Sequence, residues 1–183
     1  MIGNILDNTT ELYMIKYTFG EIFSSGGATL CKNPSDPTVN NIIFYLLFSH
    51  LQHYMDVKNQ HILVIGTQVP WIEAILLDMG ANKITILEYN DIVSEHPKLF
   101  PIKPKDFTQK YLNGTLEQFD AMVTFSSIEH SGLGTYGDSI NPWGDLITMA
   151  RAWCTLKPKA KALVGVPYGP DVVQVPILPI FIK

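Results

Sequence analysis

From Val57 onward the chain alternates short apolar runs with longer amphipathic stretches. "HILVIG" (His61–Gly66) is a β-branched apolar run of strand length, and "KITILEYN" (Lys83–Asn90) is a second. Between them, "PWIEAILLDMGA" (Pro70–Ala81) places Ile72, Ile75, Leu76 and Met79 at helical spacing, with Pro70 in the first turn and Gly80 at the C-terminal cap. A polar, proline-broken stretch runs from Asp91 to Lys105, and "FTQKYL" (Phe107–Leu112) reads as a weak third strand. "FDAMVTFSS" (Phe119–Ser127) is the fourth strand. Asn141–Lys157 reads as a helix with Asn141 as N-cap, Pro142 at the first position and a core stripe of Leu146, Met149, Ala150 and Trp153. Pro158 ends it, and "AKALVGVP" (Ala160–Pro167) is the fifth strand. This order predicts an α/β fold: a parallel sheet with helices packed on both faces, three layers in all.

Upstream, Thr38–Val57 reads as a covering helix with Thr38 as N-cap, preceded by a loop-forming segment, "SSGGATLCKNPSDP". Its apolar run, Ile42–Phe48, is far shorter than the roughly 20 residues that span a bilayer. The chain therefore divides into a loop-rich segment and covering helix (1–56), an α/β core (57–171) and an apolar tail (172–183), read together as one structural domain.

The composition, 46% hydrophobic and 16% charged, belongs to compact globular chains. A net charge of −4 excludes a general nucleic-acid binder, which needs clustered Lys and Arg. The only basic concentrations, Lys103–Lys105 and Lys157–Lys161, read as solvated loops. Cys31 and Cys154 have no metal spacing, and Cys154 falls on the apolar face of the last helix, as a core residue would. The first twenty residues lack the basic start and continuous apolar core of a signal peptide, so the default location is the cytoplasm.

Ligands of such sheets bind beyond the carboxyl ends of the strands. Three strand ends carry suitable residues. Gly66 permits a tight turn and close approach before a helix N-terminus. Glu88 lies 22 residues further on, where a carboxylate can take both hydroxyls of a nucleotide ribose. Ser126, Ser127, Glu129 and His130 crowd the end of the fourth strand. Each has a plainer reading: a turn glycine, a solvated carboxylate, hydroxyls bonded to the turning backbone, a structural histidine. The glycine fingerprint that cradles a dinucleotide pyrophosphate is missing, since Gln68 and Val69 follow Thr67 and Pro70 has no N–H. That disfavours an NAD-type oxidoreductase. A ribose-bearing ligand without a pyrophosphate, such as S-adenosylmethionine, suits the pattern.

Three blocks, "LVIGTQVPWIEAILLDMGANKITILEYN", "FDAMVTFSSIEHSGLGTYGD" and "NPWGDLITMARAWCTLKPKAKALVGVPYGPD", resemble a family of unknown function from nematodes and bacteria with the class I S-adenosylmethionine-dependent methyltransferase fold. The resemblance covers about Val57–Asp171 and implies a Rossmann-like core. It aligns Gly66 with the first glycine of the cofactor loop, Glu88 with the ribose acid and Asp120 with a structural acid opening the fourth strand. Val64, Gln68 and Pro70 depart from the general pattern. The chain also departs at "VPILPIFIK", which implies a fold truncated after the fifth strand, with an open sheet edge there.

The implied function is methyl transfer from S-adenosylmethionine to a small molecule or glycan. In it Gln68 hydrogen-bonds the cofactor, Tyr89 packs on the adenine, and Ser126 and Ser127 complete the cofactor site. His130 is the general base, oriented by Glu129, and Gly132–Asp138 is a flexible lid. Trp71, Tyr136 and Trp143 are candidates for a substrate wall. The alternative is a non-catalytic binding or scaffold domain that keeps the fold without the cofactor.

Overall fold

In the computed structural model the described residues are 11–17 and 47–167. They form one six-stranded sheet in the order β1-β6-β5-β2-β3-β4, and every neighbouring pair is parallel. The strands are β1 (Glu11–Tyr17), β2 (His61–Ile65), β3 (Lys83–Leu87), β4 (Leu99–Ile102), β5 (Phe119–Phe125) and β6 (Leu156–Pro167). The α-helices among the described residues are α1 (47–54), α2 (Trp71–Asp78), α3 (Pro104–Leu112) and α4 (Gly144–Trp153). The chain is a Rossmann-like α/β layer structure.

Alternation along the central strands divides the interior in two. Ile62 and Val64 of β2, with Ile84, Ile86, Ala121, Val123 and Leu163, face a core closed by Leu47 and Leu51 of α1 and by Ile72, Ile75 and Leu76 of α2. Leu63 and Ile65, with Met122, Ala162 and Val164, face a second core closed by Phe107 of α3 and Ala152 of α4. A strand whose successive residues point to opposite faces needs apolar side chains at every position when both faces are covered. The apolar runs Ile62–Ile65 of β2 and Ala121–Val123 of β5 answer that requirement.

Helix α2 follows its sequence signals. Beyond its last residue, the Gly80 N–H donates to the Leu77 carbonyl and the Ala81 N–H to that of Leu76. This pair of bonds caps the helix, and Gly80 supplies the positive φ of 90° that it needs.

Several expectations are corrected. Phe107–Leu112 is not a strand but part of α3, which Pro104 opens and which buries only Phe107. The strand lies just before it, in Leu99–Ile102, where Pro101 masks it; a proline is tolerated there because β4 is a sheet edge. The basic cluster Lys103–Lys105 is accordingly the start of α3 and not a loop, while Lys157–Lys161 lies within β6.

The last helix is shorter than Asn141–Lys157. Asn141 uses its side-chain carbonyl to accept from the Trp143 N–H at 3.0 Å, one turn ahead of α4. Leu146 is 59% exposed and Cys154 is exposed, so neither is core; Ala152 is the buried residue of α4. β6 begins at Leu156, opposite Phe119, and loops out around Pro158 and Lys159 (φ 65°) before Lys161 pairs with Ala121.

The sheet edge expected to be open beside the fifth predicted strand is occupied. Glu11–Tyr17, inside the segment read as loop-rich, pairs with Lys161–Pro167. The segment 24–37 expected as a loop, the part of the expected covering helix before residue 47 and the expected tail 172–183 lie outside the described residues. None of the described helices is long and apolar enough to cross a membrane.

Candidate functional site

At the carboxyl ends of β2, β3 and β5, on the face covered by α3 and α4, lies a cavity of about 280 Å³. Gly66 and Gln68 follow β2, Glu88 and Tyr89 follow β3, and Ser126, Ser127 and His130 follow β5; all seven line it. Every candidate catalytic and cofactor-binding residue except Glu129 thus lines one crevice.

The turn after β2 is tight because Gly66 has φ 71° and its N–H donates to the Leu87 carbonyl at 3.0 Å. A side chain at Gly66 would overlap the Ser127 hydroxyl. The close approach that the glycine permits is therefore made, in this structure, by Ser127. Past it, the turn spends its hydrogen bonds on itself: the Thr67 hydroxyl and the Trp71 N–H both donate to the Val69 carbonyl, each at 2.7 Å.

Glu88 is 8% exposed. Its Oε1 accepts from the Asn90 N–H at 3.0 Å and from the Asn90 side-chain amide at 3.3 Å. One carboxylate oxygen is thus anchored by Asn90, and the other, Oε2, is not bonded by any of the described residues. Tyr89 is 44% exposed, with its pKa raised by partial burial and then by the negative charge of Asp138 and Glu88; Arg151 opposes the rise.

Ser126 takes a left-handed conformation (φ 47°) as the chain leaves β5, and its hydroxyl donates to Glu129 Oε1 at 2.9 Å. A short 3₁₀ turn, Ile128–His130, follows. Glu129 Oε1 is 4.0 Å from His130 Nε2, too far for a hydrogen bond, and Glu129 Oε2 is buried without a partner. Glu129 is thus bonded to Ser126 and not to His130, which changes its expected orienting role. The His130 ring instead meets Tyr136 edge-on at 6.1 Å.

The segment Gly132–Asp138 is wound around one carboxylate. Asp138 accepts from the Gly132 N–H at 2.6 Å and the Tyr136 N–H at 3.2 Å. Burial would raise the Asp138 pKa, but donation from the backbone of Gly132, Tyr136, Asp138 and Gly134 outweighs it and holds the group below its ordinary value. Gly132 also lies against the Asn141 carbonyl and Gly144, where a side chain would not fit. The expected flexible lid is in this structure a pinned loop.

Of the aromatic candidates for a substrate wall, only Tyr136 lines the cavity. Trp71 packs against Phe125 (centroids 5.7 Å apart) on the opposite face, and Trp143 is 65% exposed outside the cavity.

Arg151 and Thr148 of α4 complete the wall, as does Asp138. Sequence reading missed Arg151 because it assigned α4 a core stripe one step away. Thr148, Arg151 and Ala152 share a face at i, i+3 and i+4, and buried Ala152 marks that face as inward. Asp120 behaves as a structural acid. It accepts from the His61 N–H at 2.9 Å and pairs with Lys157 at 2.6 Å, tying β2, β5 and β6 together at the opposite end of the sheet.

The family described as Caenorhabditis protein of unknown function, DUF268, matches residues 59–181. The chain belongs to the DUF268 family. None of the curated proteins matches it. Among solved structures, this DUF268 chain is similar to the Bordetella bronchiseptica enzyme WbmF in complex with NAD+ (15% identity, TM-score 0.44, covering 67% of this chain and 41% of that one). It is also similar to a chorismate mutase/shikimate 5-dehydrogenase fusion protein from Clostridium acetobutylicum (14% identity, TM-score 0.40, covering 67% and 48%). A third is shikimate dehydrogenase 1 from Peptoclostridium difficile (12% identity, TM-score 0.40, covering 67% and 48%). The chain spans less than half the length of each, and at these levels of similarity they bear on no ligand or activity of DUF268. No group of three or more His, Cys, Asp or Glu side chains placed to hold a metal ion occurs among the described residues.

Proposed function

We propose that this DUF268 chain binds S-adenosylmethionine in the crevice beyond β2, β3 and β5 and transfers its methyl group to a small molecule or glycan. The observation that carries the reading is that Gly66, Glu88, His130 and Arg151, from three strand ends and a helix, line one cavity. Its volume, about 280 Å³, lies just below the roughly 300–1,000 Å³ of typical ligand pockets.

The residues fit the cofactor at its ribose. Glu88, with one oxygen anchored by Asn90, presents the other to a ribose hydroxyl. Tyr89 offers a half-exposed ring for the adenine, and Arg151 offers the crevice a positive charge for a ligand carboxylate. When bound, the sulfonium supplies a methyl carbon open to direct displacement, with the carbon–sulfur electrons leaving on sulfur. The protein then has to align the acceptor and take its proton. His130 is the cavity-lining group suited to that proton, because an imidazole ring nitrogen can accept it as a general base. Gly66, occupied on its open side by Ser127, contributes the turn rather than a bare backbone surface.

A second reading, a binding domain without catalysis, is favoured by that same Ser127 contact and by the self-bonded turn at Thr67–Trp71. Calorimetric titration with S-adenosylmethionine and its demethylated product decides whether the cofactor binds. The proposal predicts saturable binding that weakens about tenfold or more in Glu88→Ala, since a hydrogen bond to a charged group contributes roughly 1.5–3 kcal/mol. No binding at millimolar ligand overturns it and leaves the second reading.

A further inference from the structure

Across the sheet from this crevice, beneath the β2–α2 turn, is a second cavity of about 250 Å³ lined by Thr67, Pro70, Glu73, Ile86, Ile92 and Val93 together with Gln68, Asp91, Ser94 and Leu99. Its polar floor is Glu73, in the first turn of α2. The side chain is completely buried, at 0% exposure. Glu73 Oε2 receives only a long contact from the Thr67 hydroxyl, 3.5 Å, and that hydroxyl is already committed to the Val69 carbonyl at 2.7 Å. Apart from the residue's own backbone N–H no further donor serves the carboxyl group, and Oε1 has no hydrogen-bond partner among the described residues. A buried carboxyl oxygen without a partner is costly unless something outside the protein satisfies it.

The lining says what that something is. No lysine, arginine or histidine is in it, and its second carboxylate, Asp91, pairs with Lys103 at 2.7 Å on the solvent side. An anion would find no positive partner there. The other walls are Pro70, Ile86, Ile92, Val93 and Leu99, which suit a short apolar arm.

We propose that this second cavity is a binding site for a small alkylammonium cation, whose ammonium head is held by the Glu73 carboxylate and whose hydrocarbon arm packs on Ile86, Ile92 and Leu99. The site is separate from the crevice holding Glu88 and meets it only at Gln68, which lines both. It does not depend on the cofactor reading.

The test is a methyl-resolved NMR titration of the full chain at pH 8 with propylammonium chloride, propan-1-ol and sodium propionate as separate probes. Saturable shifts are expected at the Ile86, Ile92 and Val93 methyls with propylammonium alone, at millimolar affinity, on the order of what four heavy atoms can supply. In Glu73→Gln, which keeps the side-chain shape, the affinity should fall at least tenfold. No shift with propylammonium, equal shifts with the neutral alcohol, or undiminished binding by Glu73→Gln would each overturn the proposal. If the variant fails to fold, the ammonium-over-alcohol preference of the wild type decides. Failure here leaves the Glu88 titration untouched, because the reporting methyls lie on the other side of the sheet.

Discussion

Replacing Glu73 by glutamine should stabilise the protein at high pH and do much less at low pH. Burial pushes the Glu73 carboxyl from 4.5 up to about 7, opposed only by its own backbone N–H and the Thr67 hydroxyl. A carboxyl with a folded pKa above its unfolded value favours the folded state while protonated. That stability is complete below the unfolded pKa and is lost as pH rises through the folded one. One pKa unit corresponds to about 1.4 kcal/mol, so the loss between pH 5 and pH 8 comes to about 2–3 kcal/mol. It is a large fraction of the 5–15 kcal/mol typical of a domain. Glutamine cannot ionise and escapes the loss. The assay is urea unfolding of wild type and Glu73→Gln, without added amine, at pH 5 and pH 8. The stability difference between the two proteins should shift by about 2–3 kcal/mol in favour of the variant over that interval. A difference that stays constant across the interval would refute the assignment of Glu73 as a buried, unneutralised acid.

Two further substitutions probe the crevice. Gly66→Ala should destabilise by about 2–4 kcal/mol in chemical denaturation, combining a left-handed backbone with the overlap on Ser127. The double variant with Ser127→Gly should recover the overlap but not the backbone strain, giving a non-additive cycle; additive losses would contradict the contact. Asp138→Ala should raise amide exchange at Gly132 and Tyr136 by the order of tenfold or more, since each donates to this carboxylate. Because the Asp138 pKa is depressed, the wild-type protection should hold at neutral pH and disappear only in acid. Unchanged exchange would show that the loop is held by other contacts.

The central layers were legible because fully buried strands and amphipathic helices write their positions in apolar periodicity. β2, β3, β5 and α2 all follow that pattern. What escaped reading did so for physical reasons. β4 is a four-residue edge strand with a proline, so it has neither the length nor the apolar continuity of a central strand. β1 lies in a polar-flanked segment where no periodicity separates strand from loop, and only its pairing with β6 distinguishes it. Leu146 and Cys154 look like core on a helical wheel, but α4 ends at Trp153 and turns Ala152 inward. The crevice residues could be named because strand ends are fixed by the strands. Arg151, brought in by helix α4 on the crevice's own face of the sheet, depends on the packing of α4 and not on its own neighbours in sequence. Glu73, an acid in the first turn of α2, is fully buried, and nothing in the helical spacing announces that burial.

A crystal structure of the chain with the demethylated product of S-adenosylmethionine would show directly whether the crevice beyond β2, β3 and β5 holds the cofactor. The account predicts ribose hydroxyls on Glu88 Oε2, a carboxylate near Arg151, and the sulfur facing His130. A ligand bound elsewhere, or a crevice that stays empty at saturating concentration, would contradict it.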